Sequence, residues 1–200
     1  VGRIIVIEGI DGSGKSTICH ALYRYACEHL EGKHYLFRDP GSTELSELIR
    51  GILKSSVPVK SKKTRLLLHA AAHSEIVAYI RELQDNPETG LVVAARWWHS
   101  TYVYQGLVPG LKLDVHAILT MRETLGLNSS QCFFLDVPEL VLLERLSKRE
   151  EKDEYDRASI QDLRLRKEKY FELIPRYLTS IEGELTVPEI VSKIRSIAGI

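Results

Sequence analysis

The chain of 200 residues is long enough to bury one sizeable core, and with 44% hydrophobic and 27% charged residues it has the composition of an ordinary globular domain. Lys and Arg total 27, matched by 27 Asp and Glu, so there is no basic excess of the kind that coats nucleic acid. No apolar run reaches membrane-spanning length, the first residues enter a strand without the shape of a signal peptide, and Cys19, Cys27 and Cys132 form neither a disulfide frame nor a zinc pattern; a cytoplasmic protein with reduced thiols, no nucleic-acid partner and no membrane contact is expected.

Arg3-Ile4-Ile5-Val6-Ile7 is short, β-branched and apolar, as a buried parallel strand is. Gly9-Ile10-Asp11-Gly12-Ser13-Gly14-Lys15-Ser16-Thr17 follows and reads G-x-x-x-x-G-K-[ST]. After it Ile18, Ala21, Leu22, Tyr25 and Ala26 recur at helical spacing, which completes the strand, loop and helix that a phosphate loop requires. Gly9, Gly12 and Gly14 let backbone N–H groups turn inward toward phosphate oxygens, and the helix N-terminus adds a positive dipole end. Lys15 brings a mobile charge for the β- and γ-phosphates of a nucleotide, and Ser16 a hydroxyl for Mg²⁺.

The first helix is expected to reach about Leu30 and break at Glu31-Gly32-Lys33; His34 to Arg38 is a second strand, and Asp39-Pro40-Gly41-Ser42 a turn. Thr43 suits the cap of a helix carrying Leu45, Leu48, Ile49, Ile52 and Leu53, with Arg50 on its more polar side. After a loop around Pro58, a helical pattern runs from Lys62 to about Gln84, with a small apolar middle suited to close packing on both sides. His69 and His73 in it have the spacing of zinc ligands, but no third ligand is signalled, and packed or half-exposed histidines are expected. Leu91 to Ala95 is a third strand, ending at Arg96-Trp97-Trp98, and His99 to Gly106 opens a helix at its carboxyl end. Pro109-Gly110 is a break, Val115 to Leu125 a modest helix, and Gln131 to Val137 a fourth strand. Pro138 starts a helix through Leu146, followed by the most charged stretch, Ser147 to Arg157. A helix from about Ala158 to Tyr177, a strand from Leu178 to Glu182 and a helix from Pro188 complete the pattern.

Strands alternating with helices predict a single α/β domain over residues 1–200: a phosphate-loop NTPase-type three-layer α/β/α sandwich with a five-stranded parallel sheet. Ligands in such sheets sit outside the carboxyl ends of the strands, and the first three ends carry Glu8 with the phosphate loop, Arg38-Asp39, and Arg96. No N-K-x-D guanine motif argues for a GTPase. A kinase of small phosphorylated molecules needs arginines that converge on the phosphoryl groups and a basic lid that excludes water. Arg38, Arg50, Arg96, Arg145 and Arg149 are placed for that chemistry.

The chain resembles the thymidylate kinases over nearly its whole length. Glu8 to Thr17 matches E-G-x-D-G-x-G-K-[ST]-T; Arg38-Asp39-Pro40-Gly41-Ser42-Thr43 is similar to R-E-P-G-G-T; and Arg96, Ser100 and Tyr104-Gln105-Gly106 fall on D-R-Y…S…A-Y-Q-G without gaps. Phe134 to Glu139 resembles the family's fourth strand, and Asp153-Glu154-Tyr155-Asp156 with Tyr170 its lid-exit pattern, with the lid at about 147–157. The resemblance implies transfer of the ATP γ-phosphoryl group to dTMP with Mg²⁺, by a homodimer. It implies that Lys15 and the loop amides hold the ATP phosphates, that Arg145 lies on adenine, and that Lys148, Arg149 or Lys152 reaches in from the lid. It implies that Asp11 touches the acceptor's 3′-hydroxyl, that Arg38, Arg50 and Arg96 meet the acceptor phosphate and the transferring group, and that Ser100, Tyr104 and Gln105 line the nucleoside pocket.

The chain departs from the family pattern in two places, at Ala95 and at the pair Leu68 and Ala72. Ala95 stands where an aspartate would organise the Mg²⁺ water shell, with Glu8 or Asp39 as the carboxylate that would substitute. Leu68 and Ala72 replace the aromatic and the arginine of L-L-F-x-A-[DN]-R that contact the base, and Trp97-Trp98 offers alternative stacking. These departures keep open a kinase for another pyrimidine nucleotide or deoxynucleoside, and a nucleotide-binding protein without turnover.

Overall fold

Five strands, β1 (Arg3–Glu8), β2 (Lys33–Arg38), β3 (Thr89–Ala95), β4 (Ser130–Asp136) and β5 (Thr179–Glu182), form one parallel sheet in the order β2-β3-β1-β4-β5. The helices are α1 (Lys15–His29), α2 (Glu44–Lys54), α3 (Lys62–Asp85), α4 (Trp98–Thr101), α5 (Glu139–Ser147), α6 (Ile160–Phe171) and α7 (Val187–Ala198). This computed structural model describes residues 2–55, 57–108, 130–150, 157–174 and 176–200. The break at Pro109-Gly110, the helix expected over Val115 to Leu125, and lid residues Lys152 to Asp156 lie outside the described residues.

The continuous apolar run of β1 follows from its place at the centre of the sheet. Ile4 and Val6 join the core formed with α3, α5 and α6, whereas Ile5 and Ile7 join the core formed with α1 and α7. Alternate side chains therefore serve opposite faces, and both faces must be apolar. Burying each such isoleucine contributes about 1.5–3 kcal/mol. α2 packs on α3 through a separate small cluster of Ile49, Leu53 and Ala72, with Leu68 against it.

Two segments differ from the periodicity reading. The helix expected to continue to Tyr177 ends at Phe171, and Leu173 and Ile174 instead donate to Tyr170 and Phe171 in tightened turns. Pro175, which has no N–H and disfavours helical geometry at the residue before it, accounts for the early stop. The helix expected from His99 is a short α4 that widens into a π-helical turn, Tyr102–Leu107. That turn carries Tyr104 and Gln105 toward the carboxyl ends of the strands.

Candidate active site

A cavity of about 940 Å³ opens at the carboxyl edge of the sheet. One side is the phosphate loop, Asp11 to Thr17. Gly14 takes a left-handed conformation (φ 90°, ψ 13°) as the N-cap of α1, where a side chain at Cβ would be strained. α1 has no side-chain cap, so its first N–H groups are left to face the cavity edge. Lys15 is buried and donates to the carbonyls of Gly9 (2.9 Å) and Ile10 (2.8 Å). Burial, reinforced by the nearby Arg96 guanidinium, pushes its ammonium down to about 7.

Arg96 follows β3 in a left-handed conformation (φ 70°), a strained backbone for a residue with a side chain. Its N–H donates to Ile7 O at 3.0 Å, which ties it to β1. Its guanidinium pairs with Asp11 Oδ1, donates to Ser100 Oγ at 3.0 Å and lies 5.1 Å from the Tyr104 ring centre. The Tyr104 hydroxyl donates to Asp11 Oδ2 at 2.9 Å. Burial alone would raise the Asp11 carboxyl, but Arg96, Lys15, the Tyr104 hydroxyl and Arg166 together hold it well below the usual carboxylate range. The same burial, with the Asp11 charge beside it, raises the Tyr104 phenol, which stays protonated as the donor.

Glu8 lies beneath this group and is fully buried. Oε1 accepts from the Trp97 and Ser100 N–H groups (2.8 and 3.1 Å), and Oε2 from the Ser100 and Tyr170 hydroxyls (2.7 and 3.0 Å). The carboxylate thus caps the amino end of α4 and fixes the turn that presents Arg96. Burial opposes its ionisation, but His99, Arg96 and Ser100 keep it below the ordinary value.

The wall opposite the phosphate loop comes from Asp39, Pro40, Arg50, Arg65, His69 and Gln105. Arg50 Nη1 donates to Pro40 O at 3.0 Å. Asp39 Oδ2 is 2.5 Å from Nδ1 of the buried His73, which packs edge-on against Trp97. His69 sits 3.3 Å from the Gln105 side-chain nitrogen, and burial, helped by Arg65, Arg96 and Arg50, pushes its imidazole down to about 4, so it is neutral at physiological pH. Among the described residues no cluster of three His, Cys, Asp or Glu is arranged to hold a metal. At the other end, Arg145 Nη1 donates to Gly12 O at 3.2 Å, Arg149 lines the cavity, and Gly183, Leu185, Val187 and Ile190 supply a largely apolar wall.

The fold therefore brings together Asp11 to Thr17, Arg50, Arg96, Ser100, Tyr104, Gln105, Arg145 and Arg149. Asp39 also lines the cavity, whereas Glu8, Gly9, Arg38, Leu68, Ala72, Trp97, Trp98 and Lys148 do not. Arg38 forms a two-pronged ion pair with Glu47 (2.8 and 2.9 Å) and is not among the lining residues. Leu68 and Ala72 pack α3 against α2 instead of facing a base, and Trp97 is wholly buried. Glu8 is a support under the wall, not part of it. Lys148 pairs with Glu144 at 2.6 Å. The sequence reading missed Arg65 as a cavity residue; it shares one helical face with His69, four positions on, and that spacing was the available signal. It also missed Arg166, which does not line the cavity but stands 3.9 Å from Asp11 Oδ2, and for which no local pattern exists.

Residues 7–194 match the profile of the family described as thymidylate kinase. A thymidylate kinase of Kosmotoga olearia is 32% identical over 189 residues, covering 93% of this chain and 90% of its own. That of Buchnera aphidicola is 34% identical over 176 residues (86% and 82% covered), and that of Symbiobacterium thermophilum 34% over 198 residues (96% and 90%).

Proposed function

This chain belongs to the thymidylate kinase family, and from that premise we propose how its own residues carry the reaction, transfer of the ATP γ-phosphoryl group to dTMP to give ADP and dTDP. The observation that carries the reading is one cavity that runs from the phosphate loop to the wall of Arg50, Arg65 and Gln105, with Lys15 and Arg96 among its lining residues. Donor and acceptor phosphates thereby share a space lined by cations, which is what phosphoryl transfer needs in place of a general base.

The loop amides and Lys15 bind the ATP phosphates, and Arg145 with the Gly183 to Ile190 wall takes the adenine side. Arg149 reaches the transferring group from the foot of the lid at about 147–157, within the single domain. Asp11 and Tyr104 meet the acceptor sugar; Arg50 and Arg96 neutralise its phosphate; Ser100, Gln105, His69 and Arg65 complete the nucleoside side. For Mg²⁺ the donor set fits on one combination. Ser16 and Asp39 both line the cavity with oxygen ligands, whereas both oxygens of Glu8 are engaged by buried donors. Ser16 and Asp39 would hold the ion with water completing its shell, and Mg²⁺ would supply charge neutralisation between the phosphates.

The homodimer reading is supported by α2, whose Leu45, Leu48 and Ile52 form an apolar stripe on the side away from α3, and by Leu67, 64% exposed. Free thiols at all three cysteines support a cytoplasmic location.

The test is an ADP-release assay over dTMP, dUMP, dCMP and thymidine, with and without Mg²⁺. The expected result is Mg²⁺-dependent turnover with the highest kcat/KM for dTMP. Preference for the nucleoside or for dCMP, or dTMP binding with no product, would overturn it.

A further inference from the structure

No motif marks Arg166, and it is not among the residues lining the cavity. It lies on α6, the helix that follows the charged segment, and is 7% exposed. A guanidinium is buried to this degree only where charge partners meet it. Its Nη1 stands 3.9 Å from Asp11 Oδ2, while Arg96 holds Oδ1 of the same carboxylate. Both guanidinium groups lie 5.1 Å from the centre of the Tyr104 ring, whose hydroxyl donates to Asp11. The carboxylate and phenol are thus gripped by two cations from elements far apart in the chain, the end of β3 and α6.

We propose that Arg166 is a positioning residue for the acceptor nucleotide, setting the orientation of Asp11 and Tyr104, which reach the cavity that it does not. The inference rests on the acceptor site proposed above. A planar guanidinium can attract the carboxylate with its N–H edge while lying against an aromatic ring; a lysine ammonium has the charge without the plane. Arg96, Lys15 and the Tyr104 hydroxyl remain beside Asp11 without Arg166, so losing Arg166 costs alignment more than charge. The effect belongs to acceptor binding, with ATP binding spared.

The test is a double-mutant cycle of Arg166→Gln with Asp11→Asn, reading dTMP KM and kcat by ADP release, and the Kd values of dTMP and ATP by calorimetry. Arg166→Gln is expected to raise dTMP KM and Kd about tenfold with kcat within about threefold and ATP Kd unchanged; in the Asp11→Asn background it should cost less than about threefold more. Arg166→Lys should recover part of the loss and serves in the same cycle if the glutamine variant fails to fold. Effects that multiply, or an ATP Kd that moves with the dTMP Kd, overturn the proposal. A wild-type protein that binds and phosphorylates dTMP while the effects multiply removes this inference alone; one with no affinity for dTMP removes the proposed function with it.

Discussion

Truncating Glu8 to alanine should destabilise the protein by about 2–6 kcal/mol. The working is local. Removing the carboxylate leaves two pairs of donors buried. The Ser100 and Tyr170 hydroxyls are 2.9 Å apart, so one can donate to the other, and the second O–H, free to rotate, is left out of the range. The Trp97 and Ser100 N–H groups are fixed by the backbone entering α4 and cannot turn to a new acceptor. Each buried donor left unmade costs about 1–3 kcal/mol, which sets the range for two. Glu8→Gln is different: the amide oxygen can take both N–H groups and its nitrogen can donate to the hydroxyls, leaving mainly the loss of charge, about 1–2 kcal/mol. The two variants also differ in pH dependence. Glu8 is held below its ordinary value of 4.5, so its stabilisation is complete above that pH and is lost as pH falls through the lower folded value. Glutamine has no such stabilisation to lose, and the gap between wild type and Glu8→Gln should narrow below about pH 4.5. Urea unfolding of the three proteins at pH 7 and in a series down to pH 3.5 reads both effects. An alanine variant within about 1 kcal/mol of wild type, or a gap independent of pH, would refute the capping role given to Glu8.

Lys15 gives a second readout: with its ammonium pushed down to about 7, about half is neutral at pH 7, and ATP binding should take up about half a proton. Calorimetry at pH 7 in two buffers of different ionisation enthalpy should show this, and Lys15→Met should abolish it. Ala95→Asp restores a carboxylate at the end of β3, where Ala95 is only 9% exposed; turnover at saturating substrate should rise about tenfold, with a melting temperature a few degrees lower, and an unchanged rate would count against a missing Mg²⁺ carboxylate. Leu68→Ala should cost about 2 kcal/mol of stability while dTMP KM stays within about twofold, because Leu68 packs α3 on α2; a large KM change would place it at the base after all. Leu48→Glu should convert the proposed dimer to monomer in light scattering with the fold intact, since Leu48 is 64% exposed on the chain alone; a wild-type protein that is already monomeric would remove the dimer proposal.

What the amino-acid order determined by itself was whatever depends on neighbours a few positions away. Short apolar runs predicted the strands, the G-x-x-x-x-G-K-[ST] spacing between a strand and a helix predicted the phosphate loop, and Thr43, with its side chain accepting from Ser46 N–H, begins α2 as expected. The order of strands placed Arg96 at the active edge because Arg96 directly follows a strand. The tertiary structure decided which charges converge. Arg38 and Arg50 sit on neighbouring segments and looked equivalent, yet Arg38 turns out to Glu47 while Arg50 turns in to the cavity. Glu8 stands next to the phosphate loop in sequence but is consumed in capping α4, and Arg166 meets Asp11 from a helix that only the finished sheet brings near. Periodicity and turn chemistry are set by local sterics, whereas the partner of a long charged side chain is selected by packing across the whole domain, where desolvation and distance, not spacing, choose among several cations.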